Sequence, residues 1–269
     1  MFWQQQFETL PVDEMRSLQF DRLQDVIIRA YHNVDFYKKS FAEAGISPDS
    51  LKSLDDLAKF PFVTKQDLRD NYPYGMFGVP LNEIVRIHSS SGTTGKPTVV
   101  GYTKSDLHNW NDLVSRVMCM GGVTNRDIVQ VAFTYGLFTG GFGLHYGAEN
   151  IGASVIPASS GNTARQLLIM KDYRSTVLIC TPSYALHIAE TMDKEGITKD
   201  DIHLKYGLFG SEPWGEKQRK EIEDRLGLIA TDNFGLSEVM GPGIAGECLC
   251  RSGMHVNEDH IYPEIINPD

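Results

Sequence analysis

Short apolar runs alternate with helical patterns over most of the chain, and this alternation narrows the possible folds more than any other feature. The runs are rich in β-branched or aromatic residues, which is typical of buried strands. They lie at residues 84–88, 97–102, 128–133, 154–156, 176–180, 206–209 and 228–230. Helical patterns follow some of the later runs, at residues 163–173, 183–195 and 216–226. This order predicts a layered α/β fold with a largely parallel sheet flanked by helices, in which ligands bind at the carboxyl ends of the strands.

The N-terminal part of the chain follows a different pattern. Residues 13–33 carry apolar side chains near helical spacing, and residues 64–67 have the composition of a capping box that opens another helix. A second capping box, at residues 103–106, begins a helix further along the chain. We therefore predict a helical N-terminal segment over residues 1–82, followed by an α/β region over residues 83–269.

Charge and cysteine content argue against several classes of protein. A net charge of −10 disfavours nucleic acid, whose binding needs a basic surface, and disfavours attraction to anionic membrane lipids. Four cysteines among 269 residues are too few for a disulfide scaffold, so a reducing compartment is expected. The sequence shows neither a run of about 20 apolar residues nor a secretory signal at its start. These features predict a cytoplasmic protein with small-molecule partners, and they leave a monomer and a homodimer open.

A segment of small, hydroxylated and glycine residues ends in a cation soon after the first predicted strand. Residues 89–97 read SSSGTTGKP. Glycines let backbone N–H groups turn toward an anion, hydroxyls add donors, and a lysine adds positive charge. The segment is not a Walker A loop, because Gly92 and Gly95 are too close together and Pro97 follows the lysine. Composition alone leaves two interpretations open, a cradle for a polyphosphate and a flexible polar turn.

The order of these residues resembles the phosphate loop of the adenylate-forming superfamily, which includes acyl-CoA synthetases, luciferases and peptide-synthetase adenylation modules. The resemblance implies an ATP site in which hydroxyls, backbone N–H groups and a lysine hold the β- and γ-phosphates. The implied residues are Ser90, Ser91, Gly92, Thr93, Thr94, Gly95 and Lys96. Thr93, Thr94 and Lys96 are assigned catalytic roles, because they would hold the reacting phosphates in position and Lys96 would also offset their charge.

A second motif lies further along the chain. Residues 232–238 read DNFGLSE and resemble the superfamily's aromatic-Gly-x-(Ser/Thr)-Glu motif. The resemblance implies that the Phe234 ring lies against adenine and that Glu238 holds the Mg²⁺ bridging the ATP phosphates, and a carboxylate suits this cation. Taken alone, Phe234 would more often be a core residue and Glu238 a solvated charge. The implied adenosine contacts are Ser211, Glu212, Pro213, Asp232, Asn233, Phe234 and Gly235.

Within the superfamily, the chain most resembles the phenylacetate–CoA ligases. The similar segments are residues 68–73, 98–103, 143–149, 209–214 and 257–264. The resemblance implies a two-step reaction with ATP, Mg²⁺ and coenzyme A: an arylacetic acid becomes its adenylate, and coenzyme A then displaces AMP. Family members commonly have alanine at the position of Ser211, so the wall of the adenine or aryl site is expected to differ slightly.

Sequences of this family continue beyond position 269. In them a ribose-binding aspartate, a hinge and a mobile C-terminal domain with a catalytic lysine follow. We therefore expect this chain to supply the ATP- and acid-binding part without the C-terminal lid domain, and to show negligible ligase turnover by itself. The alternative is a nucleotide-binding remnant without turnover.

Aromatic and glycine residues just after the run at 128–133 are candidates for the acid's pocket. Glycines free space, and aromatic rings supply edge and face contacts for an aryl group. From their match to the family's substrate region, the implied residues are Tyr135, Phe142, Gly241, Pro242 and Ile244. Phe138 lies in the same segment, and core packing is the preferred interpretation for it.

Two cysteines and a histidine lie close together near the end of the sequence. Cys248, Cys250 and His255 offer two thiolates and an imidazole, and tetrahedral zinc accepts such ligands. The alternative is a loop with two incidental cysteines, because a closed set of four ligands is not visible. Elsewhere, the isolated His145 is expected to be a hydrogen-bonded structural residue, and Cys180 is expected to lie in the core.

Overall fold

The computed structural model describes residues 1–90 and 95–267. Its α-helices are α1 (Gln5–Glu8), α2 (Val12–Asn33), α3 (Asp35–Glu43), α4 (Lys65–Asp70), α5 (Lys104–Met120), α6 (Thr139–Ile151), α7 (Thr163–Asp172), α8 (Pro182–Glu195) and α9 (Glu216–Leu226). Its strands are β1 (Arg86–Ser89), β2 (Val99–Tyr102), β3 (Ile128–Val131), β4 (Ser154–Ile156), β5 (Val177–Cys180), β6 (Tyr206–Gly210), β7 (Ile229–Leu236), β8 (Gly241–Glu247) and β9 (Met254–Val256). Short 3-10 helices cover Pro48–Ser50, Leu54–Lys59, Leu81–Glu83 and Lys199–Asp201.

The chain divides into two compact units. The sheet unit comprises Met1–Gln4 and His108–Val256, and the helical unit comprises Gln5–Leu107 and the residues from Asn257 onward. In the part of the chain that the structure describes, no helix is both long enough and apolar enough to cross a membrane.

The seven strands of the sheet unit lie in the order β4-β3-β5-β6-β7-β8-β9. The first five are parallel to their neighbours, whereas β8 and β9 pair antiparallel. A hydrophobic cluster joins β5 to α8 and α9 through residues such as Leu178, Ile188 and Ile222. Cys180 belongs to this cluster, and burial raises the pKa of its thiol. The predicted α/β fold with a largely parallel sheet is therefore confirmed, as is the core position of Cys180.

Glycine-rich elements account for the main differences from the predicted elements. Three of the first five residues of α6 are glycine, which disfavours a helix on propensity alone. Here the glycines serve close packing: a Cβ added at Gly143 would meet Trp110 of α5, and one at Gly147 would meet Val114. β8 is also rich in glycine, and its pairing extends β7 from the predicted residues 228–230 through Leu236.

The helical unit contains the N-terminal helices and a small antiparallel hairpin. β1 pairs with β2, and a cluster of Ile27, Phe41 and Leu51 packs α2 and α3 together. α4 begins at the predicted capping box, where Thr64 accepts from the Asp67 N–H and Asp67 accepts from the Thr64 N–H. The predicted helix over residues 13–33 is confirmed as α2.

Candidate functional site

A small cavity lies in the sheet unit at the carboxyl ends of β3, β6 and β7. Its volume is about 30 Å³, room for about two water molecules but not for an aryl ring. The cavity is lined by three of the predicted adenosine contacts, Ser211, Asn233 and Gly235. It is also lined by two of the predicted acid contacts, Gly241 and Pro242. The other lining residues are Phe133, Phe138, Thr139, Gly140, Leu144 and Ser237. The fold thus brings parts of both predicted sets to one place, and side chains must move before an aryl ring can enter it.

β7 and β8 approach each other closely where the two predicted sets meet. Gly235 is the register partner of Pro242, and the ladder shifts at a bulge just before Gly235. A Cβ added at Gly235 would overlap the backbone of Gly241 and Pro242, so a larger residue requires the backbone to move. Trp110 of α5 donates from Nε1 to the Pro242 carbonyl oxygen at 2.7 Å. These contacts hold one wall of the cavity in place.

The ring of the predicted adenine platform lies on the surface. Phe234 is 46% exposed, which argues against the alternative of a core aromatic. Its neighbour Asn233 is buried and donates from Nδ2 to the Phe209 carbonyl oxygen at 2.6 Å. This bond joins the end of β7 to β6. An exposed flat ring beside a fixed backbone is the arrangement that stacking on a nucleobase requires.

The segment after β6 begins with a residue in a strained backbone conformation, and its next residue caps the start of α8. Ser211 adopts a φ of 69°, a left-handed conformation that is uncommon for residues other than glycine. The Glu212 carboxylate accepts from the Ser183 N–H at 2.6 Å and, at short range, from the Ser183 hydroxyl. Ser183 lies in the first turn of α8, where a carboxylate also interacts favourably with the helix dipole. Glu212 therefore anchors the segment to α8, while Ser211 lines the cavity.

Two buried charged residues contact β7, the strand that carries most of the second motif, and no sequence pattern identifies them. Arg219 of α9 donates to both carboxylate oxygens of Glu247 at 2.8 and 3.0 Å, and each residue is only 7% exposed. Glu247 also accepts from the Asp232 N–H at 2.8 Å, and Arg219 donates to the Ala230 carbonyl oxygen at 2.6 Å. The ion pair thus holds the backbone of β7 at two points. Burial raises the pKa of the Asp232 carboxyl beside it.

Tyr135 and Phe142 do not line the cavity but form an aromatic cluster at the start of α6. Their rings meet edge to face with centroids 5.3 Å apart, and Phe142 stacks on Tyr146 at 6.1 Å. The Tyr135 hydroxyl lies 3.1 Å from Nδ1 of His145, which confirms that His145 is hydrogen-bonded. Burial raises the pKa of the Tyr135 hydroxyl well above its usual range. The predicted acid contacts therefore fall into two groups, and Ile244 is buried separately in β8.

The centre of the predicted phosphate loop, Ser91, Gly92, Thr93 and Thr94, lies outside the described residues. At its start, Ser90 and Thr98 continue the β1–β2 ladder: the Ser90 N–H donates to the Thr98 carbonyl oxygen, and the Thr98 N–H donates to the Ser90 hydroxyl, both at 3.0 Å. At its end, Gly95 has a φ of 137°, and the Lys96 ammonium lies 5.6 Å from the centroid of the Tyr72 ring. The two ends of the loop are therefore attached to one hairpin.

Of the residues predicted to bind a metal, Glu238 suits Mg²⁺, whereas Cys248, Cys250 and His255 do not make up a zinc site. Within residues 1–90 and 95–267, no group of three or more His, Cys, Asp or Glu side chains is arranged to hold a metal ion. Mg²⁺ suits a single carboxylate such as Glu238, because it is usually bound by one or two carboxylates together with substrate phosphates. Zinc requires a complete set of protein ligands.

The zinc prediction for Cys248, Cys250 and His255 is therefore not supported. The His255 side chain, followed by the Cys250 N–H, lowers the pKa of the Cys248 thiol to about 7. β8 pairs with β9, and His255 is the register partner of Gly246, two residues before Cys248.

A largely parallel sheet flanked by helices, with a cavity at the carboxyl ends of its strands, places the chain in the class of layered α/β proteins that bind ligands at that edge of the sheet. Residues 42–261 match the family described as AMP-binding enzyme, and the chain belongs to this family. The match includes every predicted nucleotide and acid contact.

The chain is similar to curated enzymes over nearly its whole length. It is 52% identical to the phenylacetate-coenzyme A ligase of Pseudomonas putida over 262 residues, which are 97% of this chain and 60% of that enzyme. It is 46% identical to the phenylacetate-coenzyme A ligase of Thermus thermophilus over 270 residues, or 61% of that enzyme. A solved 2-hydroxyisobutyryl-CoA ligase in complex with 2-HIB-AMP and CoA is 30% identical, with a TM-score of 0.92 over 98% of this chain and 63% of that one. The chain spans about 60% of the length of these curated relatives.

Proposed function

We propose that this chain supplies the ATP- and acid-binding part of an AMP-forming ligase that joins an arylacetic acid, such as phenylacetate, to coenzyme A. The observation that carries the proposal is the shared cavity, where Asn233 and Gly235 of the predicted adenosine site lie with Gly241 and Pro242 of the predicted acid site. An acyl-adenylate is one molecule with both parts, so a ligase of this kind needs the two sites to be continuous. The similarity to phenylacetate-coenzyme A ligases supports the choice of acid.

The proposed reaction has two displacements. A carboxylate oxygen of the acid attacks the α-phosphorus of ATP, the bond to the β-phosphate oxygen breaks, and pyrophosphate leaves. The sulfur of coenzyme A then attacks the acyl carbon, AMP leaves with the electron pair of the broken bond, and the thiol proton passes to solvent. Positioning and charge neutralisation dominate the catalysis of such transfers. No nucleophilic side chain is required of the protein.

Residues of this chain would hold the reactants in the following way. Ser90 and Lys96, together with the loop between them, would bind the β- and γ-phosphates. The exposed ring of Phe234 would stack on adenine, and the cavity wall at Pro242 would face the acid. Glu238 would bind Mg²⁺, which neutralises charge on the phosphates when it is bound.

The proposal can be tested by binding, without relying on turnover. The probe is a sulfamoyl analogue of phenylacetyl-adenylate, in which the labile acyl phosphate is replaced by a stable acyl sulfamate. Isothermal titration calorimetry on the 269-residue chain should show the analogue binding at least about a hundredfold more tightly than AMP or phenylacetate alone, since one molecule fills both sites. The matching acetyl analogue, which lacks the ring, is the control. If the chain binds neither Mg·ATP nor the phenylacetyl analogue, the proposal is wrong.

A second assay separates a ligase from a protein that only binds nucleotide. Incorporation of labelled pyrophosphate into ATP should depend on added phenylacetate, because only the reversal of adenylate formation returns the label. The assay is run with the C-terminal domain of a phenylacetate–CoA ligase supplied in trans, because the catalytic lysine is expected there. Analogue binding without any phenylacetate-dependent exchange under these conditions favours the alternative of nucleotide binding without turnover.

A further inference from the structure

Two cysteines, Cys248 and Cys250, lie in a tight turn at the edge of the sheet. The turn joins β8 to β9, the last strand in the sheet order, and the Arg251 N–H donates to the Cys248 carbonyl oxygen at 3.0 Å. This bond closes a four-residue turn in which the two cysteines are the first and third residues. Cys250 is exposed and Cys248 is partly exposed, whereas Cys119 and Cys180 are buried. Reagents in solvent therefore reach this pair of thiols more readily than the other two.

The turn sets the separation of the two thiols. Two successive peptide units span at most roughly 7 Å between Cα atoms when extended, and a turn shortens this distance. Disulfides join Cα atoms that are about 4.4–6.8 Å apart. A bond between the Cys248 and Cys250 sulfurs is therefore compatible with the separation that the turn imposes.

A histidine lies on the same face of the hairpin as Cys248. His255 of β9 is the register partner of Gly246, and Cys248 follows Gly246 by two residues, so Cys248 and His255 are diagonal neighbours across the two strands. The His255 side chain, followed by the N–H of Cys250, lowers the pKa of the Cys248 thiol to about 7. Since the thiolate is the nucleophile in thiol chemistry, these neighbours favour attack by Cys248.

We propose that Cys248 and Cys250 are a site of reversible oxidation, at which a hydroperoxide oxidises Cys248 and Cys250 closes a disulfide across the turn. Accessible thiols with a second cysteine beside them are typical of reversible redox sites. The site shares no residue with the predicted ATP and acid contacts, so it is independent of the proposed function.

The oxidation takes place in two steps. The Cys248 thiolate attacks one oxygen of hydrogen peroxide, the O–O bond breaks, and the leaving hydroxide takes up a proton, which leaves a sulfenic acid on Cys248. The Cys250 sulfur then attacks the Cys248 sulfur, the S–O bond breaks, and the proton of Cys250 leaves with the hydroxide as water. The two thiols lose two electrons and two hydrogens in all, and the peroxide becomes two molecules of water. A dithiol reductant restores both thiols by exchange.

Mass spectrometry of the full chain tests the pair directly. The reduced 269-residue chain is treated with hydrogen peroxide, its remaining thiols are alkylated, and it is digested with trypsin. Residues 226–251 form one tryptic peptide, which contains Cys248 and Cys250 and no other cysteine. This peptide should lose two hydrogens, and dithiothreitol should restore them. The yield should not change when the protein is diluted, because the bond lies within one chain.

Substitutions in the exposed turn assign the roles of the two cysteines. In Cys250→Ser, the sulfenic acid has no thiol beside it, so dimedone should label Cys248 and the loss of two hydrogens should disappear. Adding His255→Gln removes the imidazole beside the thiol and should slow this labelling about threefold near neutral pH, because the thiolate population falls more than the intrinsic nucleophilicity rises. His187→Gln, at a histidine on α8 whose side chain is 53% exposed, is the control and should leave the labelling rate unchanged.

Three results would overturn the proposal. Conversion of Cys248 to a sulfinic acid without any loss of two hydrogens would show that Cys250 does not reach it. A yield that falls on dilution would assign the disulfide to pairs of chains. Absence of reaction at both cysteines, under conditions that oxidise free glutathione, would show that the turn does not activate either thiol.

Discussion

Removing the charge of Glu247 tests how strongly its buried ion pair with Arg219 stabilises β7. Glu247→Gln keeps the shape of the side chain but leaves the Arg219 guanidinium, in a residue only 7% exposed, paired with the solvent-exposed carboxylate of Glu216, 3.1 Å from Nε. Breaking one side of a buried pair commonly costs about 3–5 kcal/mol. The glutamine amide oxygen can retain one of the two bonds now made at 2.8 and 3.0 Å, so we expect a loss near the lower end, about 3 kcal/mol.

The control for this change lies on the same helix. Lys220 and Asp224 form an ion pair of 2.8 Å on α9, but their side chains are 76% and 61% exposed. Because water solvates both groups, Asp224→Asn should change the stability little. A second variant, Arg219→Met with Glu247→Leu, removes both charges at once. It should lose less than Glu247→Gln alone, because no unpaired charge is left buried.

The free energy of unfolding is measured by urea denaturation, followed by both tryptophan fluorescence and circular dichroism. Two probes are needed because the chain has two compact units, and only coincident transitions permit a two-state treatment. If Glu247→Gln loses no more stability than Asp224→Asn, burial does not govern the strength of these pairs and the reasoning fails. Mg·ATP affinity should fall together with stability, since the pair bonds the strand that carries the nucleotide motif.

Three further changes test individual parts of the site. Glu238→Gln should weaken Mg·ATP binding about tenfold, or 1.4 kcal/mol, and should remove most of the Mg²⁺ dependence of nucleotide affinity in calorimetry; an unchanged Mg²⁺ dependence argues against this metal assignment. Tyr72→Leu should weaken Mg·ATP binding about twofold to fivefold by removing the ring beneath Lys96, a contact of about 0.5–1 kcal/mol, whereas Tyr72→Phe should not; equal losses in the two variants would exclude the cation–π contact as the cause. Alkylation of Cys248 by iodoacetamide requires the thiolate, which gains population as pH rises, so the alkylation rate should be half-maximal near pH 7. His255→Ala should move this midpoint to higher pH, with tandem mass spectrometry used to measure labelling at Cys248 alone. An unchanged midpoint would show that the imidazole has no effect on the thiol.

The regular elements of the fold could be predicted because their local signals agree with their final surroundings. β5 is an apolar run that is completely buried, and α9 has helical spacing and ends at Gly227 in a left-handed conformation. The helix α6 could not be predicted, because its glycines have low helix propensity. These glycines favour the folded structure because they allow close packing, as where Gly143 approaches Trp110, a residue far from it in the sequence. Tertiary packing outweighs propensity there.

The candidate site shows the same division between local and distant information. Residues within a short motif, such as Asn233 and Gly235, could be proposed as site residues because their order along the chain is itself the signal. The partner of Glu212 could not, because Ser183 lies 29 residues away and serine at a helix start is common. The Arg219–Glu247 pair joins a helix to a strand 28 residues later, and single charged residues give no sign of burial. The aromatic ring of Phe138, for which core packing was expected, lines the cavity and is 39% exposed.

The glycines of α6 attach the helix to its neighbours, so the side chains on the rest of the helix are not needed for that attachment. Gly143 and Gly147 hold the helix against α5 and β8, so the attachment depends on backbone approach and not on the size of particular side chains. Phe142, His145 and Tyr146 lie elsewhere on the helix surface, where their rings contact one another and Tyr135. Substitutions among these three residues should therefore leave the glycine contacts of the helix intact. The outward surface of α6 can in this sense vary in evolution with little cost to folding.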